Sequence, residues 1–173
     1  MSVNPDMFRK VMSQFATGIT VVTTRVENKI HGLTVNAFCS VSLEPPLLLV
    51  CIRNNTHGYE SIKRGQNFAV NILGQTQEKV AKKFATNSLS SDERFAEIDY
   101  RFKASGAPVL VESLGWLDCK LVATYPGGDH TLFLGEVLAL GHRNDQQPLL
   151  FFQSKYQSYN HIHKADLETS GQS

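Results

Sequence analysis

Between Gly32 and Glu44 the chain alternates without a break. Leu33, Val35, Ala37, Cys39, Val41 and Leu43 occupy the odd positions, and the even ones include Thr34, Asn36, Phe38, Ser40 and Ser42. Period-two patterning predicts one long strand with its odd face in the core. Upstream, Phe8, Val11, Met12 and Phe15 recur at i, i+3, i+4 and i+7 behind Asn4 and Pro5. That spacing predicts an amphipathic helix, capped by Asn4, whose stripe covers a core. The β-branched run Ile19–Val26 reads as a strand and Glu27–Lys29 as its turn. Pro45-Pro46 ends the long strand, and Leu47–Ile52 is a continuous apolar run of buried-strand length.

Further along, a helix capped by Asn55 or Thr56 turns Tyr59 and Ile62 inward and stops at Gly65. Phe68–Leu73 is the next strand. Thr76 caps a helix to about Ala85, with Val80, Ala81 and Phe84 inward and Glu78 and Lys82 as an i,i+4 pair. Residues 87–103 read as a long polar loop with at most one helical turn, a length that is often functional. Trp116–Tyr125 and His130–Gly141 form a hairpin across Pro126-Gly127-Gly128-Asp129, and Pro148–Phe152 is a last strand. Six or seven strands against three short helices, without βα alternation, predict a mainly β fold: a closed or split antiparallel barrel. No linker or repeat divides the chain, so residues 1–163 form one domain and 164–173 a frayed tail.

The even face of the 32–44 strand lacks the Lys, Glu or Arg of an ordinary solvated face. Thr34 to Ser40 covers roughly 20 Å of extended chain with short hydroxyl and amide groups. Such a face either meets water or receives an extended polar ligand. In the loop Arg53–Gly58, a helix start with Arg53 and His57 beside it is a candidate anion site.

Composition narrows the possibilities. The 173 residues carry 17 Lys+Arg against 16 Asp+Glu, a net charge of +1, with no basic stripe, which argues against a nucleic-acid partner. No apolar run approaches the ~20 residues of a membrane span, and the N-terminus has no apolar signal core, so a cytoplasmic protein without a membrane partner is expected. Cys39, Cys51 and Cys119 form no CxxC pair; they are buried free thiols or, failing that, redox or nucleophilic groups. The phosphate-loop, dinucleotide-fingerprint, nucleophile-elbow and H-E-x-x-H motifs are missing. Of the six histidines only His161 and His163 lie close together, without carboxylate or thiolate neighbours, so no metal site is expected. His130 opens a strand after a Gly-Gly-Asp turn, where barrel mouths hold ligands, although a strand-end histidine taken singly is more often structural.

Four segments then come together: FATGITVVTT (15–24), GLTVNAFCSVSLEPP (32–46), GGDHTLFLGEV (127–137) and PLLFF (148–152) with Tyr156. In this order they resemble the short-chain flavin reductases, NAD(P)H:flavin oxidoreductases that supply reduced flavin to two-component monooxygenases. The resemblance spans about residues 8–160. It implies a flavin-binding split β-barrel, a homodimer, FMN or FAD as the flavin, NADH or NADPH as co-substrate, and a monooxygenase component as partner. Residue by residue, Thr34, Val35, Asn36, Ala37, Ser40 and Val41 match the strand along the flavin; the even face points independently to Thr34, Asn36 and Ser40. Arg53, Thr56, His57 and Lys83 match the regions around its phosphate or adenine side. His130 matches the histidine beside the nicotinamide, and Phe151, Phe152, Gln153, Ser154 and Tyr156 match the nucleotide-holding segment. Where many relatives read Y-R-G-x-Y this chain has Phe152-Gln153-Ser154-Lys155-Tyr156, a departure that bears on NADH versus NADPH. The implied reaction is hydride transfer from nicotinamide to flavin, in which alignment replaces side-chain acid–base chemistry. A non-catalytic flavin carrier or sensor on the same barrel is the alternative; it would need neither His130 nor the 151–156 segment.

Overall fold

The computed structural model describes residues 3–158. In chain order these form α1 (Pro5–Met12), β1 (Thr17–Gly18), β2 (Thr20–Val26), β3 (Lys29–Val35), β4 (Phe38–Leu43), β5 (Pro46–Arg53), α2 (His57–Gly65) and β6 (Asn67–Ile72). A 3-10 turn at Gln75–Gln77 leads into α3 (Glu78–Ala85), followed by α4 (Ser91–Phe95), β7 (Tyr100–Phe102) and β8 (Pro108–Leu110). The chain then continues through β9 (Gly115–Gly127), β10 (His130–His142), β11 (Leu149–Phe152) and β12 (Lys155–Ser158). The fold is mainly β with short helices. The tail, His161 and His163 lie outside the described residues.

Seven strands build the main antiparallel sheet in the order β3-β2-β6-β9-β10-β5-β4. Its two edge strands are consecutive in sequence, joined only by Asn36 and Ala37. A flat sheet would hold those edges about 29 Å apart, six spacings of ~4.8 Å. The two-residue link reaches at most ~11 Å. The sheet therefore coils until its edges meet at Asn36-Ala37, although no ladder between β3 and β4 closes the ring.

Inside the coil lie Val22, Val50, Ile52, Phe68, Val70 and Phe133, fully or nearly fully buried. On the other side of β2, Val21 packs with Ala81 and Phe84 of α3 and Phe95 of α4. With both faces covered, Thr20–Thr24 are all buried, and the buried hydroxyls find carbonyls: Thr20 donates to Val35 O (2.6 Å) and Thr24 to Asn67 O (2.7 Å). The predicted α1 cap is present, with Asn4 Oδ1 accepting from the N–H groups of Asp6 and Met7. The Thr56 cap of α2 and the Glu78–Lys82 pair (2.6 Å) are there too.

Other expectations need correcting. The 32–44 segment is two strands. Its odd face is buried only as far as Val35; Cys39, Val41 and Leu43 are exposed, Leu43 at 94%. Two irregularities destroy the common face: the break at Asn36-Ala37 and a bulge between Ser40 and Ser42. The α1 stripe covers no core, since Phe8, Val11, Met12 and Phe15 are all more than half exposed. Gln66, in the left-handed conformation (φ 54°), terminates α2; Gly65 precedes it, in the helix. Thr76 does not cap α3, because the 3-10 turn intervenes, and its hydroxyl donates to Gln146 Oε1. Residues 87–103 contain α4, with a Ser90–Glu93 capping box, and β7. After Phe152 a two-residue turn, Gln153 and Ser154 both at positive φ, returns the chain as β12.

Candidate functional site

The corner where the sheet edges meet carries free backbone donors. Among the described residues neither Asn36 N–H nor Ala37 N–H donates to another backbone group, whereas their carbonyls accept from Phe38 N and Cys51 N (both 3.0 Å). β3 and β4 each present an open edge here.

Two cavities flank this corner. A groove of about 830 Å³ lies between α1, the β1–β11–β12 sheet and Asn36–Phe38; Phe8, Met12, Phe15 and Phe151 give it apolar walls. Thr17 and Ser154 add polar groups, and the Thr17 hydroxyl is buried without a partner. A second cavity of about 530 Å³ opens on the other side, at Thr34, Arg53, Thr56, His57, Asn87 and Arg94. Arg94 donates to Gly32 O (3.0 Å) and Thr86 O (2.9 Å), while its Nε is buried and unpartnered. Thr17 lines the groove and Arg94 the second cavity, and each also carries one buried polar atom without a protein partner.

Asn36, Ala37, Phe151 and Ser154 come together in the groove, and Thr34, Arg53, Thr56 and His57 in the second cavity. The Thr34 hydroxyl is committed to Ala81 O (2.7 Å), which leaves its lone pairs to accept. Thr56 accepts from Tyr59 N and donates to Arg53 O (2.9 Å), fixing the loop. His130 lies opposite Arg53 in the β5–β10 register, half exposed, with Nδ1 2.8 Å from Asp129 Oδ1. That hydrogen bond, helped by the charge of nearby Arg53, holds the Asp129 carboxyl below its ordinary range.

Several candidates lie elsewhere. Val35 is a core residue, Ser40 and Val41 are exposed along β4, and Lys83 reaches away to Ala96 O (2.5 Å). Phe152 pairs with Lys155 across the last hairpin, and Gln153 ties that turn to Ser13 O (2.8 Å). Tyr156 packs edge-on against Phe151, their ring centroids 5.4 Å apart. Neither cavity brings His130 together with the 151–156 segment.

The model of the flavin reductase like domain matches residues 12–160. The chain belongs to the flavin reductase-like family. Among its relatives is the reductase subunit HsaB of a flavin-dependent monooxygenase from Rhodococcus jostii RHA1, 34% identical, the match covering 90% of this chain and 78% of that one. The NADH-dependent flavin reductase StyB of Pseudomonas fluorescens is 35% identical, over 90% of this chain and 91% of its own. Among solved structures, the NADH:FAD oxidoreductase SgcE6 of Streptomyces globisporus, in complex with NAD and FAD fragments, superposes with a TM-score of 0.86 at 33% identity. That likeness covers 95% of this chain and 99% of SgcE6.

In this member of the flavin reductase-like family, the sequence pattern alone passes over Arg94 and Thr17 and misplaces the α1 aromatics. Arg94 sits in what reads as a long polar loop, where length is the one functional signal. Thr17 lies inside the FATG motif but carries no chemical signature of its own. The α1 stripe was legible, although as core and not as the wall of a groove.

Proposed function

We propose that this protein is a flavin reductase that transfers a hydride from NADH, or NADPH, to FMN or FAD and releases reduced flavin to a partner monooxygenase. The observation that carries the reading is the corner at Asn36-Ala37, whose unpaired backbone donors belong to residues lining an apolar groove, while Thr34, two residues upstream, lines a cavity with Arg53, His57 and Arg94. The residues fit a flavin: a planar ring bearing hydrogen-bond acceptors suits an open strand edge, and a phosphate suits Arg53 beside the capped start of α2. Bound flavin supplies an electron-accepting ring, and the nucleotide supplies the hydride. The chain's own part is placement.

In this reading Asn36 and Ala37 N–H orient the ring, with Thr34, Val35, Ser40 and Val41 as the strand around them. Arg53, Thr56 and His57 hold the phosphate, Lys83 stands farther off on α3, and Arg94 joins the set. Phe8, Phe15 and Phe151 exclude water from the groove, where Phe152, Gln153, Ser154 and Tyr156 shape the nucleotide end. Asp129 fixes the tautomer of His130, which positions the nicotinamide.

The coiled sheet with its open edges is a split barrel on this view, acting as one domain over residues 1–163. The uncovered apolar surface on α1 and β4 supports a homodimer. Among the described residues no helix is long and apolar enough to cross a membrane. A cytoplasmic location is part of the proposal.

Anaerobic stopped-flow absorbance tests the function. Mixing protein and FMN or FAD with NADH or NADPH is expected to bleach the oxidised-flavin band, with turnover rising as free flavin is added. A flavin that binds and stays oxidised with both nucleotides would leave only a carrier or sensor.

A further inference from the structure

The turn that carries His130 is fastened to the end of β5 by one residue. Asn54 follows Arg53, and three of the four residues from Gly128 to Thr131 bond to it. Its backbone N–H donates to Asp129 O (3.0 Å), its side-chain Nδ2 donates to Gly128 O (3.1 Å), and its Oδ1 accepts from the Thr131 hydroxyl (2.7 Å). The residue left out is His130 itself. Its ring bonds Asp129 through Nδ1, and Nε2 has no partner among the described residues.

The half-buried Asn54 side chain serves this turn and not the cavity beside it. Arg53, Asn55, Thr56 and His57 line the second cavity, whereas Asn54 lines neither that cavity nor the groove. The loop has a separate fastening on the cavity side, where the Thr56 hydroxyl donates to Arg53 O (2.9 Å) and accepts from Tyr59 N (3.3 Å). Asn55, at φ 58°, lies between the two fastenings. Apart from the strand ladders, little else holds the tip of the turn. Gly128 stands at φ 74° with nothing within 4 Å of where a Cβ would be, so no side-chain packing fixes it. The Arg53–Asp129 ion pair is long (3.9 Å) and exposed, an interaction that contributes little. The hydrogen bonds of Asn54 are therefore the main restraint on the turn beyond its ladders.

Resting on the flavin-reductase reading, we infer that Asn54 is a positioning residue acting through His130. By holding Gly128, Asp129 and Thr131 it sets the place of the His130 ring, and so of the nicotinamide, relative to the flavin-phosphate loop at Arg53–Thr56.

Steady-state kinetics alongside flavin titration tests this in the intact protein. Asn54→Ala should raise KM for the nucleotide about three- to fivefold, the effect of about one hydrogen bond. Flavin Kd should stay within about twofold, because the backbone bond to Asp129 O and the Thr56 fastening remain. Thr131→Val, which deletes the same bond from its other end, should raise KM by a similar factor, and Thr131→Ser, which keeps the hydroxyl, should restore it. In a His130→Ala background Asn54→Ala should change KM no further, since the ring it places is gone. A variant that is merely less stable loses kcat per mole of total protein and keeps its KM; circular dichroism and the urea midpoint check the fold. The Thr131 pair decides the matter by itself if Asn54→Ala does not fold. An unchanged KM in Asn54→Ala or Thr131→Val, a flavin Kd that rises in step with KM, or full additivity with His130→Ala overturns the positioning role alone. A wild type that oxidises neither NADH nor NADPH in the presence of FMN or FAD overturns the flavin-reductase reading, and the positioning role falls with it.

Discussion

His130 is the residue on which the reading of turnover depends most, and its surroundings are specific. Asp129 accepts from Nδ1, and Arg53 of the next strand stands opposite. Replacing His130 by Ala should raise KM for the nucleotide roughly five- to tenfold, about the value of one hydrogen bond, with flavin Kd unchanged. Steady-state kinetics alongside flavin titration separates the two. A lost flavin affinity with unchanged nucleotide kinetics would move His130, next to Arg53, to the flavin side. At this scale the sequence could name residue types but not their commitments. Nothing in it says that the Thr34 hydroxyl is spent on Ala81 O or that Lys83 reaches for Ala96 O, because both partners are distant carbonyls brought close by folding. The same holds for Cys119, whose thiol is pushed up to about 12 by burial and by neighbouring Asp118. Cys39, with the same apolar alternation around it, is exposed on an edge strand.

Among the elements, α2 does the most positioning. Its N-terminus opens on the second cavity, and Ile62 anchors it in the core. The helix lies so close to β2 that a Cβ on Gly65 would stand 2.6 Å from Arg25 O. Backbone gives way less readily than a side-chain tip, so Gly65→Ala should cost about 1–3 kcal/mol, measured as a lower urea midpoint with unchanged m-value. A neutral result would mean that α2 can shift without loss. Here the sequence was informative: the Thr56 cap, the Ile62 anchor and the Glu78–Lys82 pair depend on residues three or four apart, which local periodicity reports. It misled where a non-local event broke the period. The bulge at Ser40/Ser42 and the break at Asn36-Ala37 turned one predicted strand into two and took the odd residues off a common face.

Across the whole molecule, apolar surface is left over. Leu43 is 94% exposed and Val41 52% on the β4 edge, and the α1 stripe is uncovered. A second copy of the chain would bury such a surface and protect an edge strand from indiscriminate pairing. Sedimentation equilibrium should therefore give twice the chain mass for the wild type and a shift toward single chains for Leu43→Glu. Because Leu43 has almost no intrachain contact to lose, the variant should keep its monomer fold, and an unchanged dimer would exclude β4 from the interface.

What the sequence determined by itself is most of the local elements and the chemistry available to them: a mainly β chain, a run of short polar side chains between Thr34 and Ser40, a capped helix at Thr56, and four ordered motifs shared with the flavin reductases. These follow from neighbours along the chain, where periodicity and capping act. The tertiary structure decided where the apolar stripe of α1 went, that the two sheet edges meet at Asn36-Ala37, and that cavities open at that corner and at the start of α2. Those outcomes depend on how far seven strands coil. That coiling is set by the twist and packing of residues far apart in sequence, so no short window of the chain contains it.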